Sequence, residues 1–170
     1  MRFLFLALTL LSCQAGVPAD RVSVAPADPV SLSPSPAVNA GPTIRFGNRV
    51  IAVEIADTNE SRRIGLSGRQ SLAQDTGLVL AWPKPTQVSI WMPDMNFAID
   101  VIFVRAGKVV ALYADAQPCP PNGNCPTFGP DTPVDYVLEV PAGSAARWGL
   151  KAGDAIALTG QNIAGAEADF

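Results

Sequence analysis

Two carboxylates, Asp100 and Glu139, lie in stretches of the sequence that are otherwise apolar. Asp100 stands at the start of the strand-like run Ile99 to Val104, and Glu139 stands inside the run at residues 134–140. Charged side chains are rarely buried in such positions unless they are paired. Two carboxylates can also act as acid and base, as they do in glycoside hydrolysis, so a hydrolase that uses this pair is one hypothesis.

Two arginines offer a second kind of chemistry. Arg62 and Arg69 are seven residues apart, about two helical turns, so they can share one helical face unless Gly65 and Gly68 break the helix. One interpretation is structural, with the arginines bridging to the carboxylates and holding a helix on a sheet. The other is a pocket in which guanidinium groups bind a carboxylate or phosphate while Trp91 stacks on a ring.

The cysteine pair Cys119 and Cys125 encloses Pro-Pro-Asn-Gly-Asn, a sequence that favours a tight loop. In an exported protein such a pair predicts a disulfide, with Cα atoms about 4.4 to 6.8 Å apart. Zinc would require a shorter spacing and two further ligands, and a redox pair would suit a two-residue spacing. We therefore predict a structural disulfide and no metal site.

The N-terminus has the organisation of a secretory signal peptide. A positive start leads into an apolar run at residues 3–11, which is too short for a transmembrane helix. The ending Leu-Leu-Ser-Cys resembles a bacterial lipobox, in which the cysteine is lipidated and begins the mature chain. We therefore predict export and a membrane anchor through Cys13. Cleavage after Ala15 or Ala19, which would release a soluble secreted protein, is the alternative.

Composition divides the rest of the chain. Six prolines among Ala, Val and Ser precede residue 43 and favour an extended linker without a packed core. We expect a signal peptide at residues 1–13, a Pro/Ala/Ser-rich linker at 14–42, a single β domain at 43–160 and a loose tail at 161–170.

Charge and residue usage exclude several functions. The chain contains no histidine, which rules out Ser-His-Asp and Cys-His catalytic arrangements and every metal site that needs histidine. Residues 43–160 carry ten Lys or Arg and eleven Asp or Glu, so no basic surface for nucleic acid is expected. We predict no cofactor.

Apolar alternation and turn residues indicate many short strands. Thr58 is expected to cap a short helix that begins at Asn59, and a helical turn is expected at residues 143–148. The pattern predicts a mainly β fold, a compact sandwich or barrel with one or two short helices. The predicted strands are residues 49–57, 77–82, 87–92, 99–104, 108–113, 134–140 and 155–159, of which 99–104 and 108–113 form a hairpin.

Four stretches together are more specific than a generic β domain. They are TNESRRIGLSGRQSL (58–72), DTGLVLAW (75–82), IWMPDMNFAIDVIFV (90–104) and VDYVLEVPAGSAARWGLKAGD (134–154). Their order and spacing resemble the bacterial and archaeal family named domain of unknown function 192. The resemblance implies a jelly-roll-like β-sandwich, often exported, with no assigned activity.

The same resemblance implies a set of polar site positions. The chain departs from the family at Ser67, where Met is frequent, and at Met92-Pro93-Asp94-Met95, where Lys-Asn-Thr is common. A ligand that needs this lysine is therefore not expected. The implied ligand-binding positions are Arg62, Arg69, Trp91, Asp100 and Glu139, and the frequent cysteine pair falls on Cys119 and Cys125.

We therefore expect an exported envelope protein that acts as a binding or accessory module for a small anionic or glycan-like ligand. The first alternative is a hydrolase that uses Asp100 and Glu139. The second is a structural envelope lipoprotein without a ligand. A binding module is favoured over an enzyme because paired carboxylates often occur by chance.

Overall fold

The computed structural model describes residues 41–160. The predicted signal peptide, Cys13, the linker up to residue 40 and the tail at 161–170 lie outside the described residues. Among the residues described, no helix has the length and apolar character needed to cross a membrane. Nor do three acidic or cysteine side chains in this range come close enough together to hold a metal ion.

The described chain is mainly β with two short helices, as the sequence predicts. β3 and β8 are the longest buried strands, and both carry residues of the candidate site. The elements are β1 (Thr43–Phe46), β2 (Arg49–Ala56), α1 (Asn59–Ile64), β3 (Thr76–Thr86), β4 (Ile90–Trp91), β5 (Ile99–Arg105), β6 (Lys108–Ala116), β7 (Thr127–Phe128), β8 (Val134–Pro141), α2 (Ser144–Trp148) and β9 (Ala157–Thr159).

Seven strands form one curled sheet in the order β6-β5-β8-β3-β2-β1-β9, and β4 and β7 form a separate pair. β2 and β3 are parallel, with α1 in the connection between them, and the other neighbours are antiparallel. The segment before β9 bonds to the start of β6, through Val109 N–H to Asp154 O and Ile156 N–H to Gly107 O. The sheet therefore curls as a compact barrel or sandwich does.

The two faces of the sheet carry separate apolar cores. Successive side chains of a strand point to opposite faces. In β8, Tyr136, Leu138 and Val140 belong to one core, while Val137 belongs to the other. Alternation places Glu139 on the face of Val137, which we call the cleft face.

α1 begins where the sequence predicts and ends early. The Thr58 side chain accepts from the Ser61 N–H at 3.0 Å and caps the helix. The helix ends at Ile64, where Gly65 has a positive φ of +51° that glycine adopts at little steric cost. Arg69 therefore lies beyond the helix, and the shared helical face with Arg62 does not form.

β3 is longer than the sequence predicts. The predicted strand at residues 77–82 continues through Pro83 and Pro85 to Thr86. Its ladder to β8 is irregular between Ala81 and Thr86. Proline fits an irregular ladder because it has no N–H to donate.

The predicted disulfide is present, and the Cα atoms of Cys119 and Cys125 are 4.8 Å apart. The loop that it closes is joined to the rest of the fold at both ends. Cys119 N–H donates to Met92 O at 2.9 Å, and β7 follows Cys125 and pairs with β4.

Candidate functional site

A cleft of about 550 Å³ opens on the cleft face of the sheet. Leu80, Ile99 and Glu139 come from β3, β5 and β8, so the sheet forms its base. Helix α1 and the segment at residues 89–95 form its sides. We call this cavity the Trp91 cleft.

Glu139 is buried at the base of the Trp91 cleft, where residues 41–160 supply no partner for it. The residue is 5 % exposed. Within residues 41–160 it forms no salt bridge and accepts no hydrogen bond. Burial raises the pKa of Glu139 to about 7, and the positive charge of Arg69 opposes this rise only in part. The partner that the sequence led us to expect is therefore missing from the described residues.

Arg69 does not neutralise Glu139 because it is bound to Glu54. The two carboxylate oxygens of Glu54 each accept from an Arg69 nitrogen at 2.8 Å. Glu54 is opposite Leu78 on β3, and Leu78 is opposite Glu139 on β8. Two strand spacings, roughly 10 Å, thus separate the backbone positions of Glu54 and Glu139. Arg69 does not line the Trp91 cleft.

Arg62 lines the Trp91 cleft, and most of its donors are already engaged. One terminal nitrogen donates to the backbone oxygens of Asp57 and Ala81 at 2.5 and 2.6 Å. The other donates to Asn59 Oδ1 at 2.6 Å, and the guanidinium lies 5.3 Å from the centre of the Trp82 ring. Arg62 therefore fixes α1 to β3, through neutral acceptors instead of the expected carboxylates.

Trp91 presents a large aromatic surface at the side of the cleft. Trp91 is 58 % exposed, although β4 pairs Ile90 with Phe128 and Trp91 with Thr127. The following residue, Met92, is fully buried and also lines the cleft. The backbone on both sides of the indole is thus held, while the ring itself remains available to a ligand.

Asp100 belongs to the opposite face of the sheet. It is opposite Val140 in the β5–β8 ladder, whereas Glu139 is opposite Val101. Its oxygens accept from three backbone N–H groups, those of Asp115 at 2.9 Å, Gly143 at 3.1 Å and Ala145 at 2.8 Å. Asp100 is fully buried and holds the loop before α2 against β5 and β6. The structure does not bring it together with Glu139 as an acid–base pair.

Some cleft residues were not among the predicted site positions. Trp82, Asp94 and Met95 also line the Trp91 cleft. The unusual Met-Pro-Asp-Met turn was a sequence signal for the last two. Trp82 had no such signal, because only the fold brings it beside Arg62.

The comparisons with known proteins agree with the fold. A family model described as "Uncharacterized ACR, COG1430", the model of domain of unknown function 192, matches residues 43–158. A crystal structure from Sinorhizobium meliloti, described as a candidate transcription regulator, is 26 % identical with a TM-score of 0.64, and the match covers 73 % of this chain and 98 % of that one. A protein of unknown function from Novosphingobium aromaticivorans is 29 % identical with a TM-score of 0.60, covering 68 % and 82 %. No curated protein matches the chain significantly.

Proposed function

Because this chain belongs to the domain of unknown function 192 family, whose description assigns no activity, we propose a function from its own cleft: it is an exported envelope module that binds a small glycan-like ligand. One observation carries this proposal. The exposed indole of Trp91 stands at the side of the cleft, and the base holds the buried carboxyl group of Glu139, which has no partner among the described residues.

A sugar ring suits both groups. Its apolar face can stack on the Trp91 indole, and the half-buried Met95, which also lines the cleft, adds apolar surface. Its hydroxyl groups can donate to Glu139, which accepts no hydrogen bond from residues 41–160. A mostly apolar cleft with a few converging polar groups is typical of small-ligand sites.

A small anion is the less favoured ligand class. Arg69 lies outside the Trp91 cleft and is bound to Glu54. Arg62 already donates to three protein acceptors. An anion would therefore meet few free donors and would approach the carboxyl group of Glu139.

The two alternatives are less well supported by the geometry. A hydrolase that uses Asp100 and Glu139 would need both carboxylates in one site, and the sheet separates them. A purely structural role would suit a closed cluster whose charges are all paired. The Trp91 cleft is open, and no residue in the described part of the chain pairs with Glu139.

Replacing Trp91 by alanine should weaken sugar binding about tenfold, which corresponds to about 1.4 kcal/mol of lost stacking and apolar contact. Binding of N-acetylglucosamine, glucosamine and their β-1,4-linked dimers can be followed by NMR chemical-shift titration. Trp148→Phe is the control, because Trp148 lies outside the cleft. The proposal fails if the unaltered protein binds none of these sugars at millimolar concentration, or if both variants bind alike.

We also propose that the module is anchored through Cys13. The lipobox-like ending supports lipidation, and the disulfide suits an oxidising compartment outside the cytoplasm. Cys13→Ala should move the full-length protein from the membrane fraction to the soluble fraction. The Cys119→Ala/Cys125→Ala double variant should remain with the membrane. An unchanged distribution of the Cys13 variant would contradict the anchor.

A further inference from the structure

Glu139 indicates which ligand group reaches the base of the Trp91 cleft. A carboxylate taken out of water costs several kcal/mol unless a donor or a positive charge compensates it. The described residues supply neither in direct contact. A ligand that brought a hydrogen-bond donor and a positive charge to Glu139 would supply this compensation.

The arginines that line the cleft bond to other groups and do not act as partners of Glu139. Arg62 is turned to its carbonyl and amide acceptors and lies against Trp82. Arg63 is bound to Glu60 through two nitrogens, at 2.7 and 3.0 Å. Asp94 at the exposed side of the cleft adds a second carboxylate.

We propose that the Trp91 cleft selects a cationic ligand, a hydroxylated ring that carries a primary amine, with the ammonium group at Glu139 and the ring on Trp91. This inference rests on the proposed function and names its ligand class. An ammonium group supplies a positive charge and three donors, so it can pair with Glu139 and still bond to a second acceptor. Glu139 is 5 % exposed at the base of the cleft, and the lower dielectric of such a position strengthens that pair relative to bulk water.

Two further features of the cleft fit an ammonium group. The exposed Trp91 ring can attract a cation that passes over its face. The pKa of Glu139 is raised by burial to about 7, so the ionised form is accessible near neutral pH at little free-energy cost. An acetylated amine offers one donor and no charge, and its bulk would have to fit beside the buried carboxyl group.

The test compares glucosamine with N-acetylglucosamine by NMR titration at pH 7, using the folded protein and three variants. We expect the unaltered protein to bind glucosamine at least tenfold more tightly. Glu139→Gln and Glu139→Met should bring the ratio of the two sugar affinities close to one. Both variants remove the charge, but only glutamine keeps a polar side chain, so agreement between them assigns the preference to the charge. Asp94→Asn is the matched control, because it removes an exposed carboxylate from the same cleft. It should keep most of the preference.

The possible failures are distinguishable. If both sugars bind equally well, or if the Glu139 variants keep the preference for glucosamine, the inference is wrong and the proposed function stands. It is also wrong if Asp94→Asn removes the preference as fully as Glu139→Gln does. If neither sugar binds, the proposed function falls together with the inference.

Discussion

Replacing Glu139 by glutamine should make the protein more stable than the unaltered chain at pH 8. The difference in the free energy of unfolding between the two proteins should shift in favour of the variant by roughly 3 kcal/mol from pH 4 to pH 8. The pKa of Glu139 is about 7 in the folded protein against an ordinary value of 4.5. The folded state therefore holds a proton that the unfolded state releases as the pH rises from 4.5 to 7. The free energy of unfolding falls over this window because of Glu139, and the penalty is complete above pH 7. Glutamine does not ionise, so the variant does not lose stability in this way as the pH rises.

Denaturant unfolding of both proteins at pH 4 and pH 8 measures this difference. Glu54→Gln is the matched control, from the same row of the sheet. The hydrogen bond and charge of Arg69 lower the pKa of Glu54. Its stabilisation is therefore present at pH 8 and lost on acidification, so this variant should be less stable at pH 8. The effect should stay within about 1 kcal/mol, because the pair is exposed. A Glu139→Gln variant that is less stable than the unaltered protein at pH 8 would show that Glu139 has a partner after all.

Asp100→Ala should lower the free energy of unfolding by about 4 kcal/mol. The change leaves three N–H groups, those of Asp115, Gly143 and Ala145, without their charged acceptor. An unsatisfied buried donor costs about 1 to 3 kcal/mol, and the loss of packing adds to this. For a domain of this size we expect the melting temperature to fall by roughly 15 °C.

Thermal unfolding by circular dichroism checks the Asp100 prediction. Asp100→Asn keeps one carbonyl oxygen as an acceptor, so it should lose less stability than Asp100→Ala. Asp131→Ala removes an exposed carboxylate without a described contact and should change stability by less than about 0.5 kcal/mol. A loss below about 1 kcal/mol in Asp100→Ala would contradict the bonding role assigned to this residue.

Local signals predicted much of the fold correctly. Nearly continuous apolar runs rich in β-branched residues located β5 and β8, because strands buried on both faces read as short apolar runs. Thr58 marked the start of α1, because a capping side chain bonds within its own turn. The cysteine spacing predicted the disulfide, which closes a short loop. β1 and β7 were missed, because such short strands exist only through their partners.

The sequence alone selected Asp100 and Glu139 as unusual carboxylates, but it could not say what either of them does. Their roles depend on the register of β5 against β8, which turns Asp100 to three backbone donors and Glu139 to the Trp91 cleft. The pairing of Arg69 with Glu54 likewise joins residues on two different elements. Capping, alternation and a short disulfide are local, so the sequence determined them. Burial, charge pairing and the cleft depend on strands distant in the chain, so only the tertiary structure decided them.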